Sequence, residues 1–256
     1  MDLQLLRNAT VVLNPAGGRI LVDPCLSPKG GIPPFTLFRR PPRLNPVKDL
    51  PENAAAALSG VNAALISHFR FGHLDHLDPT GLRFLKKNGI PAFCSLRDQK
   101  ALAKKGVAAV GVPFDSWAEC LGGRIRAVPA VHGYGLIGKL MGPGVGFLLR
   151  FPGEPSLYIA GDTVLTDGMR RVLEEERPEV CVINAGGAVL DIGRPILMPI
   201  DEVMEFVGLA PGKVVAVHLE ALNHCVTTRD MLRSRLQSSG LAGKVLIPED
   251  GETISL

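Results

Sequence analysis

The chain carries six histidines: His68, His73, His76, His132, His218 and His224. Three of them fall in the stretch Ser67-His68-Phe69-Arg70-Phe71-Gly72-His73-Leu74-Asp75-His76-Leu77-Asp78, with Asp75 and Asp78 among them. Imidazole and carboxylate together suit zinc, iron or manganese, and a cation held this way activates water for hydrolysis. By itself a His-x-Asp-His string is a weak signal, since it also reads as polar capping at a helix start. Pro129-Ala130-Val131-His132 and Ala216-Val217-His218 each place a histidine just past a β-branched run, and Ala160-Gly161-Asp162-Thr163 places a carboxylate on a glycine-led turn. Singly, each has a bland reading as a surface histidine or a helix cap. Four such placements in order point to one sheet edge, where strand ends in α/β folds gather ligands.

The elements that must position these residues alternate along the chain. Thr10–Leu13 and Arg19–Asp23 flank a Pro-Ala-Gly-Gly turn and read as a hairpin. Residues 28–51, rich in Pro, Gly and Arg, read as a long irregular loop, a length that is usually functional or disordered. Strands are expected at 63–67, 90–95, 124–130, 146–151, 157–160, 180–184, 214–217 and 245–247. Helices are expected from Pro79 to about Lys87, capped by Asp78, and at 96–105, 166–176, 200–208 and 227–238. A hairpin-rich first half and an alternating second half fit one domain over residues 1–256, an α/β four-layer αββα sandwich.

In this order, the His-rich cluster, His132, Gly161-Asp162-Thr163-Val164 and Val217-His218-Leu219-Glu220-Ala221-Leu222-Asn223-His224-Cys225 resemble the metallo-β-lactamase superfamily, and within it the bacterial branch related to L-ascorbate-6-phosphate lactonase. The resemblance spans nearly the whole chain and includes Leu21-Val22-Asp23-Pro24 and Asn184-Ala185-Gly186-Gly187. The family pattern is His-x-His-x-Asp-His. Here Phe71-x-His73-x-Asp75-His76 lacks the first histidine, and a three-residue insertion between His68 and His73 restores it. The resemblance implies that His68, His73 and His132 hold one divalent ion, that Asp75, His76 and His218 hold a second, and that Asp162 bridges them. Zinc is the expected metal, with manganese and iron as alternatives. Asp75 would orient the attacking water and shuttle its proton. Asn223 and His224 could face the substrate as catalytic hydrogen-bonding groups; His224 could instead replace a ligand or cap the helix near Thr227. Asp23, Asp78 and Glu220 are candidates to fix imidazole tautomers. The backbone at Asn184 and Gly186-Gly187 could approach a substrate, and Ser27 to Asp49 is expected to cover the pocket mouth, where Arg39, Arg40 and Arg43 could meet an anion.

Composition narrows the partners. The chain has 256 residues, a net charge of +3, and apolar and charged fractions of 46% and 21%, ordinary for a folded enzyme. Its basic residues are scattered, so nucleic acid is not an expected partner. No stretch approaches the length of a bilayer span, and the first residues lack the layout of a secretory leader. Five widely spaced cysteines, Cys25, Cys94, Cys120, Cys181 and Cys225, fit free thiols in the cytoplasm better than a disulfide framework. The expected activity is metal-dependent hydrolysis of a small-molecule ester, lactone, amide or phosphoester. The competing readings are a phosphodiesterase or nuclease and a metal- or ligand-binding protein without turnover. A homo-oligomer could use the apolar Ile192–Met198 segment.

Overall fold

Alternate residues of a strand face opposite sides of its sheet, and here both sets are apolar. Ile20, Val22, Ala63 and Leu65 go to one side of their sheet and Leu21 and Ala64 to the other. Such strands need cover on both faces, and the computed structural model, which describes residues 1–70 and 72–256, provides it. The first sheet contains β1 (Asp2–Arg7), β2 (Thr10–Asn14), β3 (Ile20–Val22), β4 (Ala63–Leu65), β5 (Ala92–Ser95) and β6 (Ala109–Val112). The second contains β7 (Ala118–Cys120), β8 (Gly123–Val131), β9 (Pro143–Arg150), β10 (Leu157–Ile159), β11 (Val180–Asn184), β12 (Lys213–Val217) and β13 (Val245–Leu246). The last strand, β14 (Thr253–Ser255), returns to pair with β1, giving the orders 14-1-2-3-4-5-6 and 13-12-11-10-9-8-7.

The facing sides interdigitate: Leu3, Leu13 and Phe93 of the first sheet pack in one core with Ile125, Phe147 and Val215 of the second. Helices α1 (Ala54–Leu58), α2 (Pro79–Lys87) and α3 (Leu96–Lys104) cover the outer face of the first sheet through Ala57, Leu85 and Leu102. A short α4 (Gly135–Met141) has no buried side chains. Helices α5 (Asp167–Glu175), α6 (Ile200–Leu209) and α7 (Arg229–Ser238) cover the second sheet through Leu173, Phe206 and Leu232. The four expected layers are present. Strands β1, β6, β7 and β14 and helices α1 and α4 were not expected. Among the described residues no helix is long and apolar enough to cross a membrane. The Ile192–Met198 segment does not form an outer apolar face: Ile196, Leu197 and Met198 are buried within the chain, and Ile192 is the large apolar side chain it exposes.

Strands β3 to β6 run parallel to one another, as do β10 to β13. Their C-terminal ends therefore share an edge in each sheet, and the two edges are fastened by Asn8 in the β1–β2 turn. Its carbonyl accepts from the His218 amide at 2.9 Å, and its side-chain amide donates to the Asp75 carbonyl at 3.0 Å.

Candidate metal centre

His68 follows β4, His132 follows β8, Asp162 follows β10 and His218 follows β12. The loop from β4 to α2 adds His73, Asp75 and His76. These seven side chains are buried and form two groups, His68–His73–His132 and Asp75–His76–Asp162–His218, within each of which the candidate ligand atoms all lie within 4.8 Å of one another. Asp162 lies at the junction. Its Oδ2 is 3.1 Å from His76 Nε2, 3.3 Å from His132 Nε2 and 3.9 Å from His68 Nε2, and its Oδ1 is 3.9 Å from His218 Nε2. Asp75 Oδ2 lies 3.6 Å from both His76 Nε2 and His218 Nε2.

Whether these groups fit metal ions can be tested on the nitrogen atoms. Among the described residues, the buried Nε2 atoms of His68, His76 and His218 have no hydrogen-bond partner. The 3.1 Å approach of His76 to Asp162 is too far off the hydrogen-bonding direction to count as one. Orphaned buried polar atoms are costly, and three converging on two carboxylates match a cation's donor set. Ligands ~2.0–2.2 Å from a tetrahedral ion stand ~3.3–3.5 Å apart, within the range seen around Asp162.

The opposite ring nitrogens are all engaged. His76 Nδ1 donates to Asp23 Oδ2 at 2.8 Å, and His132 Nδ1 to the Ile196 carbonyl at 2.8 Å. Ser67 Oγ donates to Asp23 at 2.7 Å and accepts from His68 Nδ1 at 2.9 Å. His218 Nδ1 contacts Cys225 Sγ at 3.4 Å. His73 is turned the other way: Nε2 donates to the Met141 carbonyl at 3.0 Å, leaving Nδ1 as its ligand atom. Each ring thereby has one tautomer and one orientation, the usual device for aiming imidazole at a metal. Of the candidates for this role, Asp23 fills it. Asp78 instead caps α2 through Gly81 and holds the Ser27 amide, and Glu220 pairs with Arg229 at 2.7 Å. Ser67, Cys225 and the two carbonyls were missed; Ser67, adjacent to His68, carried a usable sequence signal.

The backbone is bent to deliver these atoms. His218 has φ 62° and Asp23 φ 45°, a region side chains other than glycine rarely adopt, and such strain clusters at functional sites. Gly161 has φ 66°, and a Cβ there would meet the Val145 carbonyl at 2.7 Å, so only glycine admits the turn that presents Asp162. Gly186 serves differently from expectation. A side chain there would strike the His218 carbonyl at 2.2 Å, so this glycine makes room for the His218 backbone. Asn184 reaches the centre with its side chain, donating to Asp162 Oδ1 at 2.5 Å.

Charge is settled by mutual attraction. Burial favours the neutral acid at Asp162, but His76, His218 and His132 outweigh it and hold the carboxyl well below its ordinary range. Burial likewise opposes charge on His76, yet Asp162, Asp75 and Asp23 raise it well above the ordinary imidazole value. His224 lies beside the centre, its ring 6.1 Å from that of His218 and 4.8 Å from that of Phe35. Burial pushes it down to about 4 against the pull of Asp75, and its buried Nδ1 has no partner among the described residues.

Asn223 does not face the centre. Its Oδ1 accepts from the Phe35 amide and the Asn45 side chain, both at 3.0 Å, and its Nδ2 donates to the Thr36 carbonyl at 2.8 Å. With both ends of the amide spent on the 28–51 loop, it pins that loop and has nothing left for a substrate. Arg7, fully buried, donates to the carbonyls of Cys25, Ser27 and Lys48 and fixes the loop's base. Asp191 fixes its tip, accepting from the Thr36 hydroxyl and from the amides of Leu37, Phe38 and Arg39. Arg39 is tied to the Gly193 carbonyl, and Arg40 and Arg43 line a separate cavity of about 230 Å³ beside Cys225. None of the three lines the cavity at His68 and His73.

The Asp191 anchor has a testable pH dependence. The Thr36 hydroxyl, with the Arg39 and Phe38 amides, holds its carboxyl below the ordinary range. A depressed folded value means that the anchor is complete above the unfolded pKa near ~3.9 and is lost only as pH falls through the lower folded value. Amide exchange at residues 37–39, corrected for intrinsic rates, should therefore stay protected from pH 8 to 5. In Asp191→Ala it should rise about tenfold or more throughout. Equal exchange in both proteins would remove Asp191 as the anchor.

No protein-family model matches the sequence. The chain is 33% identical to the UPF0173 protein YddR of Bacillus subtilis, over 99% of each chain. It is 26% identical to a UPF0173 metal-dependent hydrolase of Myxococcus xanthus, over 97% of this chain and 80% of the relative. Among solved structures it superposes on an isothiocyanate hydrolase from Delia radicum gut bacteria with a TM-score of 0.89 and 30% identity, covering 100% and 99% of the two chains. The metallo-β-lactamase fold protein YhfI of Bacillus subtilis, at 12% identity, shares the fold with a TM-score of 0.66 over 99% and 98%.

Proposed function

Because this chain belongs to the UPF0173 family of metal-dependent hydrolases, we propose that it binds two divalent ions, zinc first among them, and hydrolyses a small neutral carbon electrophile of the isothiocyanate kind. The observation that carries the two-ion reading is the pair of buried ligand groups meeting at Asp162 with three unpartnered Nε2 atoms. Two divalent ions there would supply an acidified water and offset charge developing on the electrophile.

The substrate class is argued from the cavity. The space at His68 and His73 is about 80 Å³ and is bounded by Met141 and Pro143. A space of this size beside two candidate ligands suits a small head group. Of the two arginines that line it, Arg70 is paired with Asp98 at 2.7 Å and Arg97, among the described residues, is not. The likeness to an isothiocyanate hydrolase supports the same class. Five unpaired, buried cysteines support a reducing compartment, the cytoplasm.

In this reading Asp75 orients the attacking water. His76 and His218 keep its carboxyl ionised against burial, so it accepts a hydrogen bond throughout. Water adds at the central carbon of R–N=C=S, the C–N bond then breaks, and the two protons of water end on the amine as carbonyl sulfide leaves. His224, neutral and with Nδ1 unpartnered, hydrogen-bonds the substrate nitrogen and passes it a proton. Asn223 holds Phe35 over His224 and does no chemistry.

Metal-loaded protein should release amine and carbonyl sulfide from alkyl and aryl isothiocyanates. Turnover of phosphodiesters or phosphorylated lactones with none of neutral electrophiles would overturn the substrate class. His224→Ala should lower kcat by ~10²–10⁴-fold, the usual weight of a proton-transfer group, at unchanged metal content. Metal loss in that variant would make His224 a ligand instead.

A further inference from the structure

The stretch that separates His68 from His73 is four residues long, yet both rings reach the same group, with centroids 4.2 Å apart. Among the described residues of the stretch, Phe69, Arg70 and Gly72, none lies in a strand or helix, so side chains must hold them in place. Phe69 packs into the core under α3, beneath Lys105. Arg70 does more. Its Nε lies 2.7 Å from Asp98 Oδ1, its Nη2 donates to the Arg97 carbonyl at 2.9 Å, and its own carbonyl accepts from the His73 amide at 3.3 Å. The receiving end is rigid. Asp98 is buried in the first turn of α3, where the Ser95 hydroxyl donates to its Oδ2 at 2.9 Å and accepts from its amide at 3.1 Å, a reciprocal cap. With Oδ2 spent on Ser95, Oδ1 is left for Arg70.

We infer that the Arg70–Asp98 clamp is the positioning device of the lengthened ligand loop: it fixes the excursion to α3 so that His68 and His73 serve one metal ion. The inference rests on the two-ion reading above. Arg70 touches no ligand atom with its side chain and acts through the His73 backbone, so it is a positioning residue. Arg70 is half-exposed, and the buried Asp98 keeps the Ser95 hydroxyl and its place in the first turn of α3 when Arg70 is gone, so the loss should be felt chiefly at the ion. Outer partners of metal ligands typically alter affinity by ~10–100-fold.

The test is cobalt(II) titration of metal-free wild type, Arg70→Ala and Arg70→Lys, following the visible spectrum and bound metal, with the thermal midpoint of each metal-free protein alongside. Wild type should take up two equivalents. Arg70→Ala should take up one with wild-type affinity and the other ~10–100-fold more weakly, with an altered spectrum for that ion and an unchanged metal-free midpoint. Arg70→Lys, which keeps the charge on Asp98, should recover a substantial part of the loss. Two equivalents bound with wild-type affinity by Arg70→Ala would overturn the clamp and leave the two-ion reading standing. A wild type that takes up fewer than two equivalents would overturn both.

Discussion

Asp162→Ala is expected to abolish binding of both ions and to lower hydrolysis by at least ~10³-fold, at or beyond the effect of removing a single transition-state donor. The reason is its position. It belongs to one ligand group while its Oδ2 lies 3.9 Å from His68 Nε2 and 3.3 Å from His132 Nε2 of the other. Removing it takes a ligand from one ion and the compensating charge from the second. It also strips Asn184 of its acceptor and leaves His76 facing Asp75 and Asp23 alone. Asp162→Asn tests charge apart from shape, since the carboxamide has the same volume and still offers Asn184 an oxygen. It should fail nearly as badly, because a neutral amide cannot offset two cations. Metal analysis and turnover on the same preparations decide the matter. Two equivalents retained in either variant, with activity within tenfold of wild type, would remove Asp162 from the junction.

Four of the seven candidate ligands, His68, His132, Asp162 and His218, were legible because each stands just past a short apolar run, and such runs declare themselves by β-branched composition. Val214 to Val217 can only be a buried strand, so the place of His218 follows. What the sequence hid was of two kinds. The acceptors behind the rings are in part backbone carbonyls, at Met141 and Ile196, and a carbonyl has no residue type to read. Most of the missed elements other than β1 are short or glycine-bearing: α4, with Gly135 and Gly138, and β6, with Gly111, carry weak local propensity and exist because tertiary neighbours complete them. Asn223 shows the opposite error. An amide five residues past a ligand looks like a substrate contact, and only the path of the 28–51 loop, fixed by Arg7 and Asp191 far away in sequence, shows both ends of that amide to be occupied.

Removing metal is expected to cost the protein more stability than any single substitution, and the cost should grow with pH. An ion held at ~1,000 times its dissociation constant contributes about 4 kcal/mol, and in a chain of this length each kcal/mol moves the melting temperature by roughly 2–4 °C. Loss of one ion should lower Tm by ~8–16 °C, and loss of both by more. In the metal-free protein, His76 and His218 are raised above the ordinary imidazole value, burial being outweighed by Asp162 and Asp75 at His76 and by Cys225, Asp162 and Asp75 at His218. Groups raised on folding stabilise fully below their unfolded pKa near ~6.5, and that stabilisation fades as pH rises through the folded values. The metal-free protein should therefore lose stability as pH rises above the unfolded value. An ion requires the same rings neutral, so its binding at the Asp75–His76–His218 group must expel protons and strengthen with pH. His68 and His132 differ: burial lowers both, His132 to about 4, so these two rings release few protons to an ion over this range. Acidification from pH 8 to 6 should thus release the Asp75–His76–His218 ion first, with up to two protons taken up. Calorimetry with and without chelator, repeated in buffers of different ionisation enthalpy, reads both quantities. Simultaneous release of the two ions, or the same proton count for each, would show that the groups titrate as one.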